Sequence, residues 1–312
     1  MSTLIIYRAV NGILLLDKPC GYSSNNILQK VKKIFCAKKA GHTGSLDPIA
    51  SGMLPICFGE ATKIAQYLLN SNKTYHVIFK LGQSTSTFDS EGKVLLIRKI
   101  NVNDQKIKKV LDQFTGYTYQ IPPMYSAIKY NGKPLYFYAR KNIVINRKKR
   151  LIHISNIQYI NYKNNLIELK ISCSKGTYIR SLIHDIGEKL KCGAHIIFLR
   201  RLKIAHYTES DLINFNSIQT LKNNFKNFVS PSVFYKKIDQ FLISIDTVLS
   251  HLNEIILNYE EEILFKNGNN VLLKKNNLVN GIIRVKSKKK KTLIGIGFIK
   301  NKTVLFPKRI IF

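Results

Sequence analysis

One stretch, NLIELKISCSKGTYIRSLIHDIGEKLKCG at 165 to 193, changes period midway and limits what the chain can build. Ile167, Leu169 and Ile171 alternate with polar residues, the pattern of a strand buried on one face. After a polar, Gly-containing turn, Ile179, Leu182, Ile183, Ile186 and Leu190 recur at helical spacing. Elements that each bury one stripe must cover one another, so the expected class is mixed α+β. The rest of the first two thirds repeats the theme. Ile13 to Leu16 reads as a short buried strand ending in a Pro-Gly turn, and Ile27, Leu28, Val31 and Ile34 stripe a helix over about 25 to 35. Ala61, Ile64, Ala65 and Leu68 predict another helix. In TYHVIFKLG, Tyr75, Val77, Phe79 and Leu81 share a strand face opposite His76 and Lys80.

The pattern then changes. A polar passage over about 211 to 240 reads as helix and connector, and FLISIDTVLSHLNEIIL is expected to return to the larger domain before a break near 250. Beyond it come short strands, GIIRV, LIGIGFI, TVLF and RIIF, separated by lysine-rich turns, which predict a small β unit. The run KSKKKK at 286 to 291 reads as a solvated hairpin tip. With 312 residues, a large domain over 1–249 and a small one over 250–312 is the natural division.

Charge narrows the partners. Lys and Arg number 50 against 18 Asp and Glu, a formal net charge of +32, while 45% of the residues are hydrophobic. That is a globular polycation, suited to RNA, DNA or an anionic membrane surface, although abundant Lys, Asn and Ile also fit a biased genome composition. Cysteines stand at 20, 36, 57, 173 and 192, with no CxxC spacing, which argues against a disulfide framework or a cysteine zinc site and for a reducing cytosol. The two apolar runs at the start are too short for a membrane span, and no targeting segment is expected.

Residues 117 to 150 interleave seven aromatics with basic residues and end in a cationic cluster. Base stacking combined with phosphate contact uses such a mixture; a packed hairpin with inward tyrosines is the alternative. The most site-like stretch is GHTGSLDPIASGMLP at 41 to 55. Pro48 biases Asp47 away from helical geometry, and Gly41, Gly44 and Gly52 permit tight turns and close backbone approach. A lone ionised Asp serves as a nucleophile or stabilises positive charge at a sugar carbon. A hydrolytic glycosidase would need a second carboxylate, and neither Glu60 nor Asp17 offers an evident partner. A buried arginine suits the task of keeping Asp47 ionised, and Arg180 is a candidate that sequence alone does not place beside it. His42, His184 and the CGAH of 192 to 195 lack metal-ligand spacing, and no P-loop or GxGxxG occurs.

Taken together, GILLLDKPCGYSSN (12–25), AGHTGSLDPIASGMLPICFGEATK (40–63), KTYHVIFKLGQSTSTFDSEG (73–92), IPPMYSAIKYNGKPLYFYAR (121–140) and CSKGTYIRSLIHDIGEKLKCGAHIIFLRRL (173–202) resemble the TruB family of tRNA pseudouridine synthases. The resemblance implies isomerisation of a uridine in the T-arm, at tRNA position 55, by an enzyme without cofactor or metal. It makes Asp47 catalytic, by attack on the anomeric carbon or by an elimination route. Tyr75 would stack on the uracil and assist loss of the proton at carbon 5, and Arg180 would pair with and orient the aspartate. Tyr178 and Leu199 would line the base pocket, His42 would hold the opened T-loop, and Lys18 would have a structural or positioning role. The implied fold is a largely antiparallel mixed sheet with an RNA-contacting insertion over about 117–150, followed by a PUA-like β domain. A cytosolic monomer bound to tRNA, with no membrane, is the expected setting. Ser45, Ser51 and His76 depart from the family pattern, where Ala, Thr and Arg are expected. The rival readings are an RNA-binding protein without turnover and a hydrolytic nucleosidase or DNA glycosylase that releases free base.

Overall fold

The computed structural model describes residues 7–227, 230–273 and 279–311. The apolar run at 4–6 and the final Phe312 of RIIF lie outside them. Along the chain, β1 (Gly12–Lys18) leads to α1 (Ser24–Ile34), β2 (Ala40–His42) and β3 (Ala50–Phe58). Next come α2 (Ala65–Asn70), β4 (Lys73–Leu81), the β5 (Gln83–Thr85) and β6 (Val94–Ile97) pair, α3 (Asp104–Asp112) and β7 (Gly116–Gln120). Two-residue strands β8 (Lys129–Tyr130) and β9 (Lys133–Pro134) and the short α4 (Leu135–Ala139) precede the long β10 (Arg150–Lys163) and β11 (Leu166–Cys173). Helix α5 (Ile179–Lys189), β12 (Ala194–Ile204), β13 (Ile213–Asn214), α6 (Phe215–Asn223), α7 (Pro231–Asp239) and α8 (Ile245–Val248) follow. The last elements are β14 (Glu254–Leu257), α9 (Tyr259–Lys266), β15 (Val271–Leu272), β16 (Gly281–Ser287), β17 (Leu293–Lys300) and β18 (Val304–Ile310).

The main sheet runs β13-β1-β3-β12-β4-β11-β10-β7, with β2 also paired to β3. Only β1–β13 and β3–β12 are parallel. This order places β12 between β3 and β4, so segments near 50, 75 and 200 meet although they are distant in sequence. In β4 and β11 alternation gives one apolar face: Tyr75, Val77, Phe79, Ile167, Leu169 and Ile171 join one core cluster with Ile27 and Val31 of α1 and Ile183 and Ile186 of α5. Ser23 caps α1, its side chain accepting from the Asn26 N–H. The opposite face carries His76, whose Nε2 lies 2.6 Å from Glu168.

The second sheet runs β14-β16-β17-β18-β15. KSKKKK covers the end of β16 and the turn into β17, as expected of a hairpin tip. A further apolar cluster joins Ile296 and Ile311 to Ile13, Leu15 and Met53.

Four expectations need correction. Residues 59–64 form a 3-10 turn, and the α-helix begins only at Ala65; the Thr62 hydroxyl donates to the Gly59 carbonyl at 2.7 Å, competing for the helical backbone. Val304–Phe306 of TVLF and Arg309–Ile310 of RIIF belong to one strand, β18, because Pro307 falls at a register shift beyond the two residues paired with β15 and so breaks no ladder. Within FLISIDTVLSHLNEIIL, Ile243 exchanges backbone hydrogen bonds with Ile13, yet Glu254–Leu257 joins the second sheet. Finally, 117–120 belongs to the edge strand β7, and its two tyrosines do not turn inward as the packed-hairpin alternative would have them: Tyr117 is 76% and Tyr119 68% exposed.

Candidate active site

The loop between β2 and β3 is built to hold one side chain still. The Asp47 carbonyl accepts from the Ala50 N–H at 3.0 Å, closing the Asp-Pro turn, and the Pro48 carbonyl accepts from Gly21 at 2.9 Å. In the first turn of α1, the buried Ser24 hydroxyl donates to the Leu46 carbonyl (2.9 Å) and accepts from the Leu46 N–H (2.7 Å). Gly44 has φ +101°, and Gly52, at φ +96°, lies so close to β12 that a Cβ would sit 2.4 Å from the Arg201 carbonyl oxygen. Gly41 needs neither freedom, since its φ is ordinary and no atom crowds it.

Above this loop opens a cavity of about 430 Å³. Six of the seven candidate residues line it: His42, Asp47, Tyr75, Tyr178, Arg180 and Leu199. Lys18 does not. Fully buried, it donates from Nζ to the Pro19 carbonyl (2.9 Å) and the Tyr22 carbonyl (2.8 Å), clamping the turn ahead of α1. Burial brings its ammonium down to about 8.

Arg180 and Asp47, 133 residues apart, form a two-point pair: Nε reaches Oδ2 at 2.7 Å and Nη2 reaches Oδ1 at 3.0 Å. The arginine side chain is 5% exposed and the aspartate 36%, so the carboxylate faces the cavity with the guanidinium behind it. Nη1 donates to the Thr87 carbonyl (3.0 Å) and Nη2 also to that of Tyr125 (2.7 Å). Enclosure pushes the Asp47 carboxyl above its ordinary range; Arg180 pulls it back and Asp89 adds repulsion. Tyr75 is buried beside Arg201, and desolvation raises its phenol, so it stays protonated at neutral pH. Tyr178 leads into α5, its N–H donating to Gln120 Oε1 at 2.8 Å while Gln120 Nε2 donates back to its carbonyl at 3.0 Å. His42 has a buried Nδ1 with no hydrogen-bond partner, and burial lowers its basicity.

Three residues escaped the sequence reading. Arg201, 1% exposed, donates from Nε to Met53 (2.7 Å) and from Nη2 to Gly44 (3.1 Å), tying β12 to both ends of the Asp47 loop. Period-2 alternation from Leu199 would have pointed it inward, in contrast to Arg200, which pairs with Asp17 and Glu209. Asp89, also buried, lies 3.7 Å from Arg180 Nε. Gln120 is visible only through its contact with Tyr178. Among the cavity-lining residues Asp47 alone carries a carboxylate, so the cavity lacks the paired acids of a glycoside hydrolase. The described residues contain no cluster of three His, Cys, Asp or Glu able to hold a metal ion, and none of their helices is long and apolar enough to cross a membrane.

Known proteins resemble the chain over nearly its whole length. Residues 32–179 match the model of the TruB family pseudouridylate synthase N-terminal domain, and 180–250 and 254–311 match two TruB C-terminal models. The tRNA pseudouridine synthase B of Buchnera aphidicola subsp. Acyrthosiphon pisum (strain APS) is 49% identical, the alignment covering 97% of this chain and 96% of that one. Its counterpart from Escherichia coli O1:K1 / APEC is 44% identical over the same shares. A solved structure titled as a Cbf5-Nop10-Gar1 complex superposes with a TM-score of 0.71 at 24% identity, covering 97% of this chain and 85% of that one. That likeness concerns the fold alone: a largely antiparallel mixed sheet of the pseudouridine synthase kind, with a small PUA-like C-terminal β sheet. With relatives at this identity over nearly its whole length, the chain belongs to the TruB family of pseudouridylate synthases.

Proposed function

We propose that the chain converts a uridine of the tRNA T-arm, at position 55, to pseudouridine, using Asp47 as the catalytic residue. The observation that carries the reading is a single carboxylate facing the cavity, paired at two points with buried Arg180 and sharing that cavity with Tyr75. The uridine flips out of the folded loop at a cost of about a few kcal/mol, offset by stacking and backbone contacts. Tyr75, Tyr178 and Leu199 hold the uracil. Asp47 attacks the anomeric carbon or draws a proton from the sugar in an elimination; on either route the bond from N1 to C1′ breaks. The uracil turns within the cavity and carbon 5 bonds to C1′ as the Asp47–C1′ ester bond breaks or, on the elimination route, as Asp47 returns the proton to C2′; the proton at carbon 5 then leaves on the Tyr75 side of the pocket as N1 gains one. No atom of water enters the product, in keeping with one carboxylate rather than two. His42 borders the opened loop, and Lys18 supports the site from beneath the turn that precedes α1.

The lysine excess serves the phosphates of the arm, and the insertion over about 117–150 is their aromatic and basic contact surface. We assign 1–249 to catalysis and 250–312 to a PUA-like RNA-binding unit, in a cytosolic monomer. Incubation with a T-arm stem-loop followed by complete digestion to nucleosides tests the chemistry. Pseudouridine appears in equal yield to the uridine lost, with no free uracil. Free uracil with an abasic product would make the chain a hydrolase.

A further inference from the structure

Arg180 is gripped from behind by one short loop. The Thr87 carbonyl accepts from its Nη1 at 3.0 Å, and the Asp89 carboxylate stands 3.7 Å from its Nε. Between those two residues sits Phe88 at φ +65°, a left-handed conformation that is strained for a bulky side chain. Surrounding structure must hold it there. Its carbonyl accepts from the Ile196 N–H of β12 at 3.1 Å, and its ring stacks on the His184 imidazole with centroids 4.0 Å apart and planes 15° apart. His184 follows Arg180 by four residues on α5, so the two side chains leave the helix one above the other on the same face. His184 Nδ1 is buried without a hydrogen-bond partner, so no polar contact at that atom competes with the stack in orienting the ring. Burial also keeps the imidazole less basic than usual and therefore uncharged at neutral pH, leaving a flat ring against Phe88.

We propose that His184 is a positioning residue: its stack with Phe88 locks the Thr87–Asp89 loop against α5 and thereby fixes Arg180, and through it the Asp47 carboxylate, in reactive geometry. The inference rests on the isomerase reading given above. Thr87 and Arg180 are 93 residues apart in sequence, and the Phe88–His184 stack joins their loop and helix. A slight tilt of the loop would pull the Thr87 carbonyl and the Asp89 carboxylate off the arginine together.

Single-turnover conversion of a T-arm stem-loop, with RNA binding measured in parallel, tests this on His184→Ala, Phe88→Ala, the double variant and His184→Phe. Each alanine variant slows conversion by about tenfold or more while the RNA Kd stays within about twofold, since small displacements of a reacting group are costly. His184→Phe, which keeps a flat ring, restores the rate, and the double variant is no slower than the slower single one because both lose the same contact. Native rates in both alanine variants, additive losses in the double variant, or a His184→Phe as slow as His184→Ala would each overturn the proposal. The native chain is the control for the reading beneath it: if it converts nothing, the isomerase assignment fails, whatever the variants do.

Discussion

In the proposed mechanism Asp47 has to stay ionised in a wall that opposes charge. Enclosure pushes its carboxyl above the ordinary 3.8, and Arg180 limits the rise. The sign follows directly. The proposed reaction uses the carboxylate, so its rate should fall as pH drops through the Asp47 pKa, with that acid limb above 3.8 rather than below it. Single-turnover rates across pH check this; a limb centred below 3.8 would contradict it. Replacing Arg180 by Lys keeps a positive charge but loses the planar fork that spans both Asp47 oxygens and two backbone carbonyls. The expected result is a loss of about 10²-fold in conversion rate with RNA binding little changed, and an acid limb moved to higher pH. Asp47 and Arg180 are legible in the sequence through their motifs, and the resemblance links them. Asp89 is not, because its importance arises only when distant segments pair; for Arg201, alternation from Leu199 marks an inward side chain but not its partners on Met53 and Gly44.

The elements around the loop are stiffer than its glycines suggest. A Cβ at position 52 would overlap the β12 backbone and meet a positive φ, so Gly52→Ala strains the backbone and pushes β3 from β12. It should cost about 1–3 kcal/mol in denaturant unfolding and reduce activity by shifting Leu199 and Arg201. Ser24→Ala leaves the buried Leu46 amide and carbonyl without their hydroxyl partner, a loss of about 1–3 kcal/mol. A Ser24→Ala protein with unchanged unfolding midpoint would refute the idea that α1 fastens the loop. At this scale periodicity was a good guide: the alternation in β4 and β11 and the stripes of α1 and α5 predict the faces that become buried. It misread residues 61–64, where a threonine hydroxyl competes for the backbone, and the end of the chain, where Pro307 sits at a register shift instead of a turn.

Across the whole molecule, charge and the cluster joining the two sheets set the behaviour. With net charge +32, T-arm binding should be dominated by phosphate contacts. If about six to ten are made, affinity falls by about three to five orders of magnitude between about 50 and 200 mM salt. A flat salt response would return the lysine excess to genome composition. Truncation near residue 250 should weaken RNA binding more than bound-state chemistry, yet it also uncovers Ile13, Leu15 and Met53, which pack with Ile296 and Ile311, so lowered stability accompanies it. Composition reveals the charge but not this shared packing, which depends on the order of strands in space. The account rests above all on Asp47 acting on a uridine that is isomerised without release. The most direct measurement is tritium release from a T-arm stem-loop labelled at uridine carbon 5, comparing the native chain with Asp47→Asn at saturating protein. Release by the native chain, without free uracil, and none by an Asp47→Asn protein that still binds the arm is the predicted result. Equal release by both proteins, or none from a folded native chain bound to its arm, would contradict it.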